Sequence, residues 1–289
     1  MQIITPAFAR SLYRPIPADT HKGRQGHALL VAGSYGKMGA AVLAARSCLA
    51  SGAGLVTVFA PECGYIILQT AVPEAMVLTD EAFRHLTHIE MGFAPQAIGI
   101  GPGIGTHHDT GKALFNFLES ASVPLVADAD ALNLLSTHTD AFALLPKRSV
   151  LTPHPKEFQR MVGQWRDEDE RIKKAVMLSG ALDAVIVLKG APTLIVDSKQ
   201  VFQNTSGNAA LATGGTGDCL TGIITALLAQ GYPSLDAALL GVFLHGRAAD
   251  IALPETGYEG FTATQLPLFL GKAFRELYPT STDSRHSHP

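Results

Sequence analysis

Short runs of apolar and β-branched residues alternate along the chain with longer stretches of helical periodicity. The predicted strands are residues 27–32, 55–59, 97–100, 125–127, 150–152 and 184–188. They are almost entirely apolar, as expected of strands that are covered on both faces. Helical periodicity predicts helices at residues 38–51, 108–120, 131–145 (with a break) and 168–180. This order predicts an α/β fold with a mainly parallel central sheet and helices on both faces.

The pattern changes after the last of these strands. Residues 193–196 and 200–203 flank Asp197-Ser198-Lys199, which predicts a hairpin added antiparallel at one edge of the sheet. From Gly217 onward the chain is mostly helical. Because no linker, repeat or shift in composition is visible, residues 1–278 are predicted to form a single domain. The polar residues 279–289 are predicted to be a disordered tail.

Composition narrows the possible partners and the compartment. Charged residues make up 16% of the chain, against roughly 25% in ordinary soluble domains, so we expect a homo-oligomer that covers part of its surface. A net charge of −3 offers no electrostatic basis for binding nucleic acid or anionic lipid. No apolar run approaches the ~20 residues of a membrane span, and residues 1–10 do not resemble a secretory signal. Cys48, Cys63 and Cys219 form no CxxC pair, so a cytoplasmic protein with reduced thiols is expected.

Three glycine clusters stand where predicted strands end or a helix begins. They are GSYGKMG at residues 33–39, GIGPGIG at 99–105 and TGGTGD at 213–218. Open parallel sheets bind ligands at the carboxyl ends of their strands. None of the clusters matches a dinucleotide or Walker fingerprint, and a single one would be typical of a tight turn. The three together favour a phosphate-rich ligand.

The cluster at residues 213–218 is the most informative. Its glycines allow the backbone to approach a phosphate, and the free N–H groups of the following helical turn can bind an anion. Asp218 lies in that turn, where the helix dipole favours its charged form. An aspartate there is usually a first-turn stabiliser. Beside a phosphate-binding loop, however, it can take the proton of an attacking hydroxyl.

Eight sequence blocks between about residue 21 and about residue 265 occur in the order of a known family. They are HKGRQG (21–26), AGSYGKMGAA (32–41), SGAGLVTV (51–58), GPGIG (101–105), DADALN (128–133), TPHPKE (152–157), VLKGA (187–191) and ATGGTGDCLTG (212–222). In this set the chain resembles the ADP- or ATP-dependent NAD(P)H-hydrate dehydratases, a branch of the ribokinase-like superfamily. The resemblance departs at Lys156, where the family usually has glycine, and at Asn208-Ala209-Ala210, which replaces Asn-Pro-Gly.

The resemblance implies a lyase that acts in nicotinamide-nucleotide repair. ADP or ATP would phosphorylate the C6 hydroxyl of hydrated NADH or NADPH, and loss of phosphate would restore NAD(P)H. The substrates would be NAD(P)H hydrate and ADP or ATP, with Mg²⁺ as the cofactor. A homotetramer and a functional link to a separate NAD(P)H-hydrate epimerase are also implied, because the chain contains no such domain.

The resemblance also assigns roles to residues. Asp218 matches the catalytic base, which contacts the substrate. The other substrate-binding candidates are Ala40, Ala41, Gly103, Gly105 and His154. The nucleotide-binding candidates are Lys189, Gly190, Ala191, Pro192, Thr193, Asn208, Gly214, Gly215, Thr216 and Gly217. Glu157, where related kinases carry a carboxylate that helps to place Mg²⁺, and Asp128 are the metal candidates.

Ordinary structural roles compete with several of these assignments. Lys189 is interpreted as facing a ligand, although a surface lysine is the commoner case. His154 between two prolines is typical of a rigid turn, and Asp130 is interpreted as a turn or cap residue. His107-His108-Asp109 is interpreted as a solvated helix start. The tail residues His286 and His288 belong to no ligand set with sensible spacing.

Two other functions remain open. A small-molecule kinase of the same superfamily, acting on a vitamin precursor or sugar, would share the anion site and the base. It would release a stable phosphorylated product. A catalytically silent nucleotide-binding sensor is the third possibility, and the intact Asp218 and TGGTG segment count against it.

Overall fold

The computed structural model describes residues 1–278, and all the strands in that part of the chain belong to one sheet. The strands are β1 (Gln2–Ile4), β2 (His27–Val31), β3 (Leu55–Ala60), β4 (Met76–Thr79), β5 (Ala97–Ile100), β6 (Leu125–Ala127), β7 (Val150–Leu151), β8 (Val185–Leu188), β9 (Leu194–Asp197) and β10 (Gln200–Asn204). Their order across the sheet is β1-β10-β9-β8-β7-β6-β5-β2-β3-β4. Every strand pair from β8 to β4 is parallel.

Helices cover both faces of the sheet. They are α1 (Pro6–Leu12), α2 (Met38–Ala50), α3 (Tyr65–Ala71), α4 (His108–Ser120), α5 (Ala129–Thr137), α6 (Pro155–Val162), α7 (Glu168–Leu182), α8 (Thr216–Ala229), α9 (Ser234–Gly260) and α10 (Leu266–Arg275). Short 3₁₀ segments lie at Glu62–Gly64, Thr139–Leu144 and Ala209–Leu211.

The two faces of the sheet bury two separate hydrophobic cores. Strand β2 shows the alternation directly, since Ala28 and Leu30 point into one core and Leu29 and Val31 into the other. The first core also contains the apolar residues of α2, α8, α9 and α10, and the second those of α4, α5 and α7. Fully burying a leucine contributes about 1.5–3 kcal/mol, so both apolar faces stabilise the fold. The predicted α/β architecture with helices on both faces is confirmed.

The predicted strands are all present, and the differences lie at the edges and in short elements. The hairpin of β9 and β10 is confirmed, but it is not at the edge, because β1 pairs parallel with β10. Strands β1 and β4 and helices α1, α3 and α6 were not predicted. The helix predicted at residues 131–145 is instead α5 followed by the 3₁₀ segment Thr139–Leu144. The predicted tail at residues 279–289 lies outside the described residues.

Helix α9 corrects the expectation about apolar segments. Among the described residues it is the one helix long and apolar enough to cross a membrane by length and composition, and 67% of its most apolar window is buried inside the protein. The helix contains Pro254 and is interrupted by non-helical backbone at Gly257. It packs against α8 and α10, as a core helix does. The length of α9 does not show in the sequence as one uninterrupted apolar run, because polar and charged residues occur along the helix.

The strand order reverses between β2 and β5. From β2 the chain proceeds outward to β3 and β4, then returns to place β5 on the other side of β2 and continues through β6, β7 and β8. Ligands in open α/β sheets bind at such a switch point, outside the carboxyl ends of the strands. Helix α8 packs across β2, β5 and β6, which brings its first turn to the same edge. Gly222 lets α8 pack closely against α2, because a Cβ there would overlap the Ala44 carbonyl of α2.

Candidate active site

The glycine loops that follow β2 and β5 contact each other at the switch point. Gly33 donates its N–H to the Pro102 carbonyl at 2.8 Å, and the Ser34 hydroxyl donates to the Gly103 carbonyl at 2.7 Å. Gly103 has a φ of +63°, and a Cβ there would lie 2.9 Å from the Ala40 Cβ. Glycine at this position therefore allows the two loops to approach each other.

Asp130 connects the same loops to α5. Its Oδ2 accepts a hydrogen bond from the Gly105 N–H at 2.9 Å and one from Lys37 Nζ at 3.2 Å. The interpretation of Asp130 as a cap is wrong, since Asp128 is the N-cap residue of α5. Asp130 lies in the first turn and holds the loop that contains two predicted substrate-binding residues, Gly103 and Gly105.

A buried ionic cluster lies where β6, β7 and β8 end. Asp128 is 1% exposed and its Oδ1 accepts from Lys189 Nζ at 2.7 Å. Its Oδ2 accepts from the Thr221 hydroxyl of α8 at 2.8 Å. Lys189 Nζ also lies 3.9 Å from Glu157 Oε2. Burial lowers the pKa of Lys189, but the charges of Asp128 and Glu157 outweigh it and raise that pKa above its usual value. Lys189 is therefore not a surface cation, as its position after an apolar strand predicted.

Asp128 and Glu157 do not fit the predicted role of direct Mg²⁺ ligands. Both oxygens of Asp128 already accept hydrogen bonds, and Oδ1 accepts a second one from the Ala129 N–H at 2.8 Å. Glu157 is 4% exposed, and its Oε2 accepts the His154 N–H at 2.8 Å. Mg²⁺ demands near-octahedral oxygen coordination and keeps several waters. Both carboxylates are already engaged by Lys189 and by neighbouring N–H and O–H donors, so they are poorly suited to bind the ion directly.

Asp218 differs from these carboxylates. It lies in the first turn of α8 beside Gly215, whose φ is +93° and which provides no side-chain cap for the helix. No side-chain hydrogen bond or ion pair of Asp218 occurs within residues 1–278. Burial raises the pKa of Asp218 to about 7, the charge of Asp128 adds to this and Lys189 opposes it. The expectation that the helix dipole favours the charged form is outweighed by burial. The result is a carboxylate matched to proton transfer near neutral pH.

Gly217 brings the α8 turn close to the ionic cluster. A Cβ at Gly217 would lie 3.4 Å from Lys189 Nζ and 3.7 Å from Asp128 Oδ2. The backbone of this turn is therefore adjacent to a fixed positive charge. Uncapped backbone N–H groups at a helix start, next to a lysine, form a suitable site for a phosphate.

His154 is the N-cap of α6. Its Nδ1 accepts the N–H groups of Lys156 and Glu157 at 3.0 and 3.2 Å, so the ring proton resides on Nε2, 3.2 Å from Glu157 Oε1. Burial, followed by the charge of Lys189, lowers the pKa of His154. The imidazole is 44% exposed, so it can still contact a substrate. Lys156 lies in the first helical turn, where no glycine conformation is needed, which explains why the departure there is tolerated.

A cavity of about 790 Å³ opens between β8–β10 and the start of α8, a volume typical of small-molecule sites. Most of the predicted nucleotide-binding residues line it, namely Lys189, Gly190, Ala191, Pro192, Thr193, Asn208, Thr216 and Gly217. Gly214 and Gly215 do not. The Asn208 side chain donates to Asp250 Oδ1 and accepts the Ala210 N–H, so it shapes the wall. This cap begins the 3₁₀ segment Ala209–Leu211 and accommodates the second family departure.

Several lining residues were not predicted. Gln203 and Asn204 are the last residues of β10, Ser206 follows the strand, and His245 lies on α9. His245 Nε2 donates to the Thr216 carbonyl at 2.9 Å, and burial lowers its pKa to about 4. The histidine is therefore neutral and fixes the first residue of α8. A histidine directly after the apolar run at residues 237–244 was a signal that could have indicated it.

The two alanine candidates on α2 differ in how far they are buried. Ala41 has no exposed surface and belongs to the hydrophobic core, so its side chain cannot contact a substrate. Ala40 is half-buried and faces Gly103. Ala40 is therefore the one whose side chain faces the site, and Ala41, which could contact a ligand only through its backbone, stays a prediction.

Comparison with known proteins agrees with this geometry. The model of the NAD(P)H-hydrate dehydratase family matches residues 28–270. The bifunctional NAD(P)H-hydrate repair enzyme Nnr of Vibrio cholerae is 40% identical over 258 residues, which cover 89% of this chain and 51% of that protein. The chain thus spans about half the length of the bifunctional relatives it matches. The ADP-dependent (S)-NAD(P)H-hydrate dehydratase of Neisseria meningitidis is 37% identical, over 83% of this chain and 81% of that protein.

A solved structure extends the similarity to the whole fold. The ADP/ATP-dependent NAD(P)H-hydrate dehydratase of Bacillus subtilis, co-crystallised with ATP and Mg²⁺, superimposes with a TM-score of 0.81 at 30% identity. The superposition covers 96% of this chain and 99% of that one. The predicted ribokinase-like α/β fold is confirmed.

Proposed function

We propose that this chain, which belongs to the NAD(P)H-hydrate dehydratase family, is an ADP- or ATP-dependent lyase that converts hydrated NADH or NADPH back to NAD(P)H. The observation that carries the proposal is Asp218, a partly buried carboxylate with a pKa of about 7 at the start of α8. It lies beside the ionic cluster at one end of the nucleotide-sized cavity.

The chemistry would proceed in two steps. Asp218 takes the proton of the C6 hydroxyl as that oxygen forms a bond to the terminal phosphorus of the nucleotide. At the same time the bond between this phosphorus and the bridging oxygen breaks, which releases AMP or ADP. The C6–O bond then breaks and inorganic phosphate leaves, while the neighbouring ring carbon C5 loses a proton whose electron pair forms the restored C5=C6 double bond. Hydroxide is a poor leaving group and phosphate a good one, which explains why a dehydration consumes a nucleotide.

The site residues have distinct tasks in this scheme. The first turn of α8 holds the transferring phosphate through its backbone, with the charge of Lys189 nearby. The cavity accommodates the nucleoside part between Pro192 and His245. The loops at Gly103 and Gly105, with Ala40 and His154, form the side on which the hydrated dinucleotide would bind. Because Asp128 and Glu157 are unsuitable Mg²⁺ ligands, any Mg²⁺ would arrive with the nucleotide, and no step is assigned to it.

The test is to mix the protein with hydrated NADH and either ADP or ATP and to follow the near-ultraviolet absorbance of NADH. A rise that requires nucleotide is expected, and the better donor identifies the phosphoryl source. A stable phosphorylated product without NADH would instead establish a kinase. Binding of nucleotide without any turnover would indicate a sensor.

The wider assignments are part of the same proposal. A cytoplasmic homotetramer, dependent on Mg²⁺ and assisted by a separate epimerase, is consistent with the charge-poor composition and the family. Light scattering tests the assembly, and a chelator titration of the activity tests Mg²⁺. Reaction of an epimer mixture, with and without an added epimerase, tests whether one epimer is left unreacted.

A further inference from the structure

A second cluster of ligand-type side chains lies outside the ionic site. His85, His107 and Asp109 each present a nitrogen or oxygen atom, and these atoms all lie within 4.8 Å of one another. The sequence interpretation of His107-His108-Asp109 as a helix start is correct, since His107 is the N-cap of α4. That interpretation did not include His85, which lies in the segment between β4 and β5 and is brought close to α4 by the fold.

We propose that His85, His107 and Asp109 bind a divalent transition-metal ion of the class of Zn²⁺, Co²⁺ and Ni²⁺. Imidazole and carboxylate ligands suit these ions, whereas Mg²⁺ prefers oxygen donors alone. Three protein ligands leave a further coordination position for water. The proposal does not depend on the proposed enzymatic function.

The distances fit an ion better than direct bonds between the side chains. His85 Nε2 and His107 Nδ1 each lie 3.6 Å from Asp109 Oδ2, beyond a good hydrogen bond. His107 Nδ1 also accepts the Asp109 N–H at 3.2 Å as the helix cap, so an ion bound at that nitrogen would replace this contact. Ligand atoms bound about 2.0–2.2 Å from a tetrahedral ion lie roughly 3.3–3.5 Å apart. The two imidazole rings have centroids 3.9 Å apart, so nitrogen atoms of both rings can reach one ion.

The backbone that carries the three ligands is already fixed. The Thr110 hydroxyl, next to Asp109, donates to the carbonyl of Leu86, next to His85, at 3.1 Å. Leu86 has no exposed surface. The buried Asp80 accepts the N–H groups of Ala82, Thr87 and His88, which orders the loop around His85. Little reorganisation is needed to bind an ion, in contrast to a cluster on free surface side chains.

The cluster also lies next to the catalytic loops. His107 follows Gly105 by two residues, and the Arg84 carbonyl accepts the Tyr35 N–H at 2.8 Å. The Arg84 guanidinium lies 4.1 Å over the Tyr35 ring. A bound ion would thus connect the loop after β5 to a segment in contact with the loop after β2. Its expected effect is to hold the two substrate-side loops together.

The experiment uses untagged full-length protein in which His286→Gln and His288→Gln remove the tail histidines as alternative ligands. After treatment with a chelator, the protein is titrated with Co²⁺ and followed by visible absorbance, and Zn²⁺ is then added as a competitor. One ion per chain is expected, with an absorbance that Zn²⁺ abolishes. Failure of this protein to bind either ion contradicts the proposal.

Matched variants locate the ion. His85→Gln and His107→Asn should each weaken binding by at least about tenfold, and asparagine at residue 107 keeps a helix-capping oxygen. His88→Gln is the control, since His88 lies in the same loop and is 52% exposed, and it should bind like the parent. Thermal unfolding verifies that each variant is folded. Equal affinity of the parent, His85→Gln and His107→Asn would show that the ion binds elsewhere.

Discussion

Asp128 and Asp218 are acidic side chains of the same site, yet the two regions that hold them differ in almost every interaction. Asp128, at the end of β6, is balanced by Lys189 and accepts hydrogen bonds from Thr221 and its own α5 backbone. Asp218, at the start of α8, has no side-chain partner within the described residues. Its pKa rises to about 7. Burial with partners produces a fixed charge, whereas burial without partners produces a group that exchanges a proton.

The two regions are also coupled. Asp128 raises the pKa of Asp218, and Lys189 lowers it. Thr221 is on the same helix as Asp218 and binds Asp128 directly. The ionic cluster at the strand ends thus holds fixed charges, and Thr221 joins α8 to it. The reactivity of Asp218 depends on those charges as much as on its own position.

Removing the reactive carboxylate should have the largest effect. Asp218→Asn is expected to lower kcat/KM by about 10²–10⁴-fold, the usual contribution of a general base, while nucleotide binding persists. The NADH absorbance assay measures the first quantity and calorimetry the second. Asp236→Asn, in the first turn of α9, is the matched control and should retain activity. Full activity of Asp218→Asn would remove Asp218 from the mechanism.

The positive charge of Lys189 can be tested by substitution. Lys189→Met leaves Asp128 buried and uncompensated, and this should lower the free energy of unfolding by about 3–5 kcal/mol. Urea denaturation measures the change. The double variant Lys189→Met with Asp128→Leu should recover part of the loss, because Asp128 is no longer an unpaired charge and only Glu157 is left without Lys189. Lys199→Met, in the exposed hairpin turn, is the control and should change stability little. An unaffected Lys189→Met protein would mean that water reaches Asp128.

The contrast between the two regions also shows what could be predicted from sequence. The glycine loops and Asp218 were predictable because their signals are local, namely glycines at strand ends and an acid in a helical turn. The apolar strands were predictable because both of their faces are buried. The position of the apolar strand before Lys189 predicted that this lysine faces a ligand, whereas the role of Asp128 depended on resemblance. Their ion pair joins residues 61 positions apart.

What could not be predicted depends on tertiary contacts. The pairing of β1 with β10 joins residues about two hundred positions apart along the chain. The pKa of Asp218 is set by burial and by charges from other strands. His245 reaches the site only because α9 packs against α8. His85 joins His107 and Asp109 because the loop before β5 folds over α4. No local pattern carries these relationships.

The pH dependence of stability sharpens the comparison further. The pKa of Asp218 is raised from 3.8 to about 7 in the folded state, so the unfolded chain releases this proton first as the pH rises. The wild-type protein therefore loses stability between about pH 4 and pH 7, and the cost persists above that. Asp218→Asn does not titrate. Denaturation at several pH values should show it more stable than wild type by on the order of 4 kcal/mol at pH 8, at about 1.4 kcal/mol for each unit of pKa. The difference should shrink toward zero at pH 4, and a constant difference would contradict the raised pKa.

The smallest expected effect concerns the hydrogen bond that joins α8 to Asp128. Thr221→Val keeps the side-chain shape but removes the donor to Asp128 Oδ2, so it should cost about 1–2 kcal/mol of unfolding free energy. Thr225→Val is the matched control one turn later, because the Thr225 hydroxyl only donates to the Thr221 carbonyl within the helix. It should cost less than about 0.5 kcal/mol. Urea denaturation of the two variants distinguishes a hydrogen bond that fixes the ionic cluster from an ordinary hydrogen bond within the helix. Equal costs would mean that Lys189 and the Ala129 N–H suffice to hold Asp128, and that α8 is positioned over the site by its apolar packing rather than by this contact.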